Sequence, residues 1–80
     1  MEKIRFIALD PVLTGERIEC VIRGSGYSVR EIQEILELLC PQSIYKWMHG
    51  RSMPSIDNLY MLHRLFNVHM EDMLVPRDMS

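Results

Sequence analysis

Residues 28–50, SVREIQEILELLCPQSIYKWMHG, decide the fold, because they read as two short amphipathic helices separated by a proline. Ser28 is followed three residues later by Glu31, the pattern of a capping box at a helix N-terminus. Val29, Ile32, Ile35, Leu36 and Leu39 then fall at i, i+3, i+6, i+7 and i+10, an apolar stripe along one helical face. The spacing predicts a helix over 29–38. It must end before Cys40, since Pro41 disfavours the α conformation in the residue ahead of it. Pro41 opens the next helix at its favoured first position, and Gly50 closes that helix, which is expected over 41–49. Its apolar members Ile44, Trp47 and Met48 stand at i, i+3 and i+4 and make a core stripe. The other face carries Gln42, Ser43, Tyr45, Lys46 and His49, which are donors, acceptors and one cation without an acid. A helix face that only needs solvation usually takes Glu and Lys, so this one reads as kept for a ligand.

Working outward, Asp10 is an expected N-cap with Pro11 at the first helical position. Val12, Leu13, Ile18, Val21 and Ile22 are the expected apolar stripe, Gly15 costs the helix some stability, and Gly24 and Gly26 end it. After the "RSMP" loop, Ser55 caps a fourth helix carrying Leu59, Leu62, Leu65 and Phe66, with Asn67 as a left-handed terminator. "VHMEDMLV" is a short last helix closed by Pro76. Residues 1–9 alternate apolar and polar and form an arm, expected as a strand in a dimer contact or as a loose terminus, not as a sixth helix. The expected organisation is an N-terminal arm over 1–9, one domain over 10–76 and a tail over 77–80, with an all-α, five-helix architecture. Met48, Met53, Met61, Met70 and Met73 are expected as adaptable core filler, and Glu31, Glu34 and Glu37 as a solvated face.

Eighty residues suit one domain, and the 48% hydrophobic and 25% charged composition is globular. No apolar run approaches the roughly 18 residues that span a bilayer, and no signal-peptide pattern precedes the body, so a cytoplasmic protein is expected. Cys20 and Cys40 are far apart and are expected as reduced apolar fillers, Cys40 half-buried in its turn. Neither shares a metal-ligand spacing with His49, His63 or His69, no motif groups nucleophile and base, and no glycine-rich loop cradles phosphate; no cofactor or metal is expected and no enzyme is nominated. The net charge of −2 counts against a nucleic-acid partner, but its distribution counts in favour: Leu38 to Ile56 holds Lys46 and Arg51 and no acid.

The order of capped helix, sharp turn and short helix with a free polar face resembles the Cro/cI-like, or XRE-type, helix-turn-helix family. The resemblance runs over roughly Gly15 to Val75. It rests on "GYS" at 26–28, the Ile32 and Ile35 stripe, "IYKWMHG" at 44–50, "PSIDNL" at 54–59 and "FNVHMEDML" at 66–74. It implies a lambda-repressor-like bundle in which helix 29–38 braces the DNA backbone while helix 41–49 enters the major groove. The implied partners are double-stranded DNA and, for paired half-sites, a homodimer. The family's base-contacting positions fall on Pro41, Gln42, Ser43 and Lys46, and its phosphate-contacting positions near Ser28, Val29, His49, Arg51 and Ser52. To these Arg30 and Tyr45 are added from their exposure and chemistry. Gln42 suits adenine N6 and N7, and Ser and Lys also read base edges.

The chain departs from the family at three points. "ELLCP" stands where glycine is common in the turn, and the span from Ile32 to Ile44 is one residue longer than the commonest spacing. Pro41 replaces a polar reader, and Val29 stands where a phosphate-binding glutamine is common. A second reading therefore stands beside the transcriptional regulator: a protein-interaction module, antitoxin-like or adaptor, that uses the fold without operator binding. The resemblance also implies that a buried arginine–glutamate pair has become Ile22 and Met48, expected to meet in the core.

Overall fold

Asp10 opens the first helix as an N-cap: in extended conformation, its side chain accepts the Leu13 N–H at 3.0 Å. The computed structural model describes residues 6–77. In it, α1 spans Pro11–Ser25 and ends at Gly26, whose φ of 85° is the left-handed conformation that glycine adopts without penalty. α2 (Val29–Ile35) starts from a complete capping box: Ser28 Oγ accepts the Glu31 N–H at 3.0 Å, and the Ser28 N–H donates to Glu31 Oε1 at 2.8 Å. α3 covers Gln42–Met48. α4 (Ile56–Phe66) is capped by Ser55 and terminated by Asn67 at φ 56°, and α5 is the single turn Met70–Met73. These five helices form an all-helical bundle, and among the described residues the one β-type pairing is a bridge between Leu9 and Pro76. The expectations for Met1–Arg5 and for Asp78–Ser80 fall outside the described residues.

Each helix offers one stripe to a shared core. Ile18 and Ile22 of α1, Ile44, Trp47 and Met48 of α3, and Leu59 and Leu62 of α4 are buried together with Ile32, Leu36 and Met73. Ile22 and Met48, at 2% and 6% exposure, share this cluster, so apolar packing occupies the place of the family's ion pair. α1 packs on α3, α4 and α5 and is the spine of the bundle.

Two expected stripes are corrected, as are the placements of the cysteines and of two methionines. In α1, Val12 and Leu13 are exposed, while Thr14 and Gly15 are buried beside Ile18 and Ile22. The inward face is set by docking on α3, where the smallest side chains allow the closest approach. α2 ends at Ile35, three residues earlier than the spacing predicts, and the chain bends; Leu38 rather than Leu39 then packs on the core, while Ile35 and Leu39 stay exposed. Cys20 and Cys40 are both exposed: Cys20 lies on α1 away from its buried face, and the turn carries Cys40 outward. Of the methionines, Met48 and Met73 are buried and Met70 packs on the core, but Met53 and Met61 are exposed.

Thr14 is the one buried polar side chain among the described residues. Its hydroxyl accepts the Val75 N–H at 3.0 Å and donates to the Val75 carbonyl at 3.4 Å. The same carbonyl accepts the Asp10 N–H at 2.8 Å, and the Arg77 N–H donates to the Ala8 carbonyl at 2.7 Å. Residues 8–10 therefore run antiparallel to residues 75–77 of the same chain.

Candidate nucleic-acid interface

The turn between α2 and α3 replaces a glycine with a glutamate in left-handed conformation. Glu37 has φ 56°. Its N–H donates to the Glu34 carbonyl at 3.1 Å and the Leu38 N–H to the Gln33 carbonyl at 3.0 Å, the paired bonds of a Schellman motif. Gln33 Nε2 donates to the Leu38 carbonyl at 3.3 Å and holds the turn from the side. The extra residue is thus absorbed by an ordinary helix end, at the cost of placing a non-glycine residue in the αL region.

α3 is seven residues long, too short to persist alone. Both ends are fixed by other means. At its start Pro41 sits just ahead of the helix with α dihedrals, and its carbonyl accepts the Ile44 and Tyr45 N–H groups. At its end Gly50, at φ 72°, forms a second Schellman motif: its N–H donates to the Trp47 carbonyl at 3.1 Å, and the Arg51 N–H to the Lys46 carbonyl at 2.9 Å. This end lies directly against α1. A Cβ on Gly15 would collide with the Trp47 carbonyl and stand 2.8 Å from that of Met48, while one on Gly50 would stand 2.8 Å from the Val12 Cα. Two glycines, one on each side, let the backbones meet.

With Ile44, Trp47 and Met48 buried, Gln42, Tyr45, Lys46 and His49 are exposed and Ser43 is half-buried. Arg51 and Ser52 are exposed just past the Schellman turn, and Pro41 is half-buried at the other end. Among the described residues Lys46 and Arg51 take part in no ion pair. From α2, Ser28 spends its hydroxyl on the cap, and Arg30 is exposed with a loose 3.8 Å contact to Glu34. Such an exposed pair leaves the guanidinium available, since it contributes at most about 1 kcal/mol. Tyr45 lines two shallow grooves that flank α2: one with Val29, Arg30 and Pro41, the other with Arg23, Tyr27 and Ser28. The structure therefore joins Ser28, Arg30, Pro41 and Tyr45 across the α2–α3 cleft, while His49, Arg51 and Ser52 stand at the far end of α3.

Arg23 and Tyr27 were not legible as members of this surface. The tyrosine ring lies 6.2 Å from Phe66 and ties the start of α2 to the end of α4, and Arg23 is held by Glu19 at 2.7 Å. The signal was the position of Tyr27 just ahead of a capping box, where an apolar residue commonly fixes the chain's entry to the helix. Glu31 carries a lowered pKa, because the Ser28 backbone N–H and then its hydroxyl stabilise the carboxylate. Among the described residues no group of three or more His, Cys, Asp or Glu could hold a metal ion, and no helix is long and apolar enough to cross a membrane.

Two helices joined by a fixed turn, the second held by its apolar stripe with a polar face outward, define a helix-turn-helix domain. The family model for the helix-turn-helix, of the Cro/cI-like type, matches residues 23–73, more than half of the chain, and the chain belongs to this family of DNA-binding regulators. No curated protein and no solved structure gave a match.

Proposed function

We infer that the chain is a sequence-specific DNA-binding transcriptional regulator and that α3 is its reading helix. The observation that carries this is the outward face of α3: polar, exposed and set in a stretch, Leu38 to Ile56, without one acid. An α-helix with its side chains is about 10–12 Å across, which suits a major groove about 12 Å wide. In this reading Gln42 and Lys46, one helical turn apart, address base edges with Ser43 and Pro41 beside them. Arg51, Ser52 and His49 at one end, and Ser28, Arg30 and Tyr45 at the other, meet phosphates and sugars, which position the domain without reading sequence.

Selection of bound sites from random duplex DNA tests this, followed by binding of two variants. Gln42→Ala is expected to cost about 1–3 kcal/mol on the selected site and to relax preference at one base pair. Arg51→Ala is expected to weaken all sequences equally and to reduce the salt slope by about one unit. The net charge of −2 favours a second reading, a protein-interaction module. An absence of salt-sensitive DNA binding, or unchanged specificity in Gln42→Ala, would transfer the assignment to it.

A further inference from the structure

Val29 and Pro41, the two positions where this chain carries an apolar side chain in place of a polar one of its family, meet at one place. Together with Tyr45 they line the groove between α2 and α3, whose α2 wall is completed by Arg30, Gln33 and Glu34. The polar groups of that wall are turned on their own neighbours: Arg30 stands 3.8 Å from Glu34, and Gln33 Nε2 donates to the Leu38 carbonyl at 3.3 Å. Pro41 has no N–H, and its carbonyl accepts the Ile44 and Tyr45 N–H groups at 3.0 and 3.3 Å. What it offers outward is ring carbon. Val29, half-buried and packed on the core, is a fixed floor.

The register of α3 sets this apolar surface beside the polar one. Pro41 has α dihedrals and continues the helical spacing by one residue. Pro41 and Tyr45 are four residues apart, as are Gln42 and Lys46, so two rows run side by side along α3, one of carbon and ring and one of amide and ammonium. Consecutive Cα atoms are about 3.8 Å apart and successive base pairs about 3.4 Å, so Pro41 and Gln42 address neighbouring base pairs. The major-groove edges of the bases present one alkyl group, the C5-methyl of thymine, among donors and acceptors.

We propose that Pro41, with Val29 and the ring of Tyr45 beside it, receives the C5-methyl of a thymine in the base pair next to the one that Gln42 reads. The inference rests on α3 being the helix that enters the major groove, and it names the base chosen by a residue that has no hydrogen-bonding group to offer. A methyl needs only an apolar surface, which the α3 side of the groove supplies. It is uncharged, so the Glu34 carboxylate on the opposite wall does not repel it, as it would a phosphate lying in the same groove.

Thymine and deoxyuridine differ by that methyl alone, so single deoxyuridine replacements in the selected site test the contact on the wild-type protein. The base pair read by Gln42 is the one whose preference Gln42→Ala relaxes. Deoxyuridine in place of the thymine beside it is expected to weaken binding about fourfold, which is about 0.8 kcal/mol and matches one buried carbon. Pro41→Ala is expected to bind the two DNAs equally, with unchanged helical circular dichroism. A 5-methylcytosine–guanine pair at the same position is expected to outbind cytosine–guanine by a similar factor, since it presents the same methyl. The proposal is overturned by a selected site without thymine beside the Gln42 pair, by a deoxyuridine loss that survives Pro41→Ala, or by a cytosine methyl without effect. The deoxyuridine comparison needs no variant and decides the matter should Pro41→Ala fail to fold. A selection that yields no site sinks the reading of α3 and this inference together, whereas a site bound equally with either base sinks this inference alone.

Discussion

Replacing Gly15 with alanine tests how α1 holds α3. In an open helix interior the change would stabilise by about 1 kcal/mol, since glycine is the poorest helix former after proline. At position 15 the new Cβ meets the Trp47 carbonyl and stands 2.8 Å from the Met48 carbonyl and 3.1 Å from the Gly50 N. All three are backbone atoms of one turn, so no side-chain rotation relieves the overlap. Carbon contacts are optimal at about 3.5–4.0 Å, so α3 must retreat by the better part of an ångström. That retreat loosens Ile18 and Ile22 against Trp47 and Met48. Overpacking of this kind costs about 3 kcal/mol at the upper end of its usual range. Net of the propensity gain, Gly15→Ala should destabilise by roughly 2 kcal/mol, lowering the Tm by on the order of 10 °C for a domain of this size. Gly24→Ala is the internal control. It lies in the same helix with nothing within 4 Å of its Cβ, and should raise the Tm by a few degrees. Thermal circular dichroism measures both, and fluorescence of the single, buried Trp47 reports any displacement of α3. Equal stabilisation by the two alanines would refute the close approach.

Glu37→Gly should stabilise by about 0.5–1 kcal/mol, because it relieves a left-handed non-glycine residue worth about 1–2 kcal/mol while adding freedom to the unfolded chain. A lower urea midpoint for the variant would contradict the turn geometry. Thr14→Val keeps the shape but orphans the Val75 N–H in a part-buried site, and should cost about 1–3 kcal/mol by urea titration. Glu31 bears on pH. Its folded pKa is depressed, so its contribution is present above the ordinary carboxylate range and lost as pH falls through the depressed value. Glu31→Gln can keep the capping bonds without the charge, so the stability difference between wild type and variant should shrink on acidification from pH 7 to 3. A difference independent of pH would show that the charge plays no part.

The helix ends that depend on one side chain were legible. Asp10, Ser28 and Ser55 each cap through their own oxygen, and Asn67 adopts the left-handed conformation that its short amide tolerates. The face of α3 was equally legible, since three large apolar residues on seven leave little choice of what points out. Features that depend on two segments meeting were not. Gly15 reads in the sequence as a weak point of a helix and acts in the fold as the contact with α3. Val12 and Leu13 are as apolar as Ile18, but the face that docks is selected by close approach, and they lose to Thr14 and Gly15. The turn failed for a related reason: a periodic stripe predicts a helix for as long as it continues, and nothing in Leu36–Leu39 announces that Glu37 reverses the backbone. Arg23 and Tyr27 reach the interface only because α1 ends beside the start of α2.

In α3 the groups that hold the helix are separate from the side chains that face outward. Its start is fixed by backbone bonds to Pro41, its end by the Gly50 turn against α1 and its inner face by the core, so the exposed Gln42 and Lys46 contribute little to the domain's stability. Substitutions at Gln42 or Lys46 should therefore leave unfolding within about ±0.5 kcal/mol, the usual range for surface positions. Substitutions at Gly15, Gly50 or Trp47 would reach any ligand of that face only through the placement or population of the folded helix. The two classes are distinguishable: the first changes preference among ligands at constant stability, the second weakens all of them in parallel with the Tm. A chain built this way can exchange the exposed side chains of Gln42 and Lys46 without refolding, because the apolar stripe beneath them is untouched.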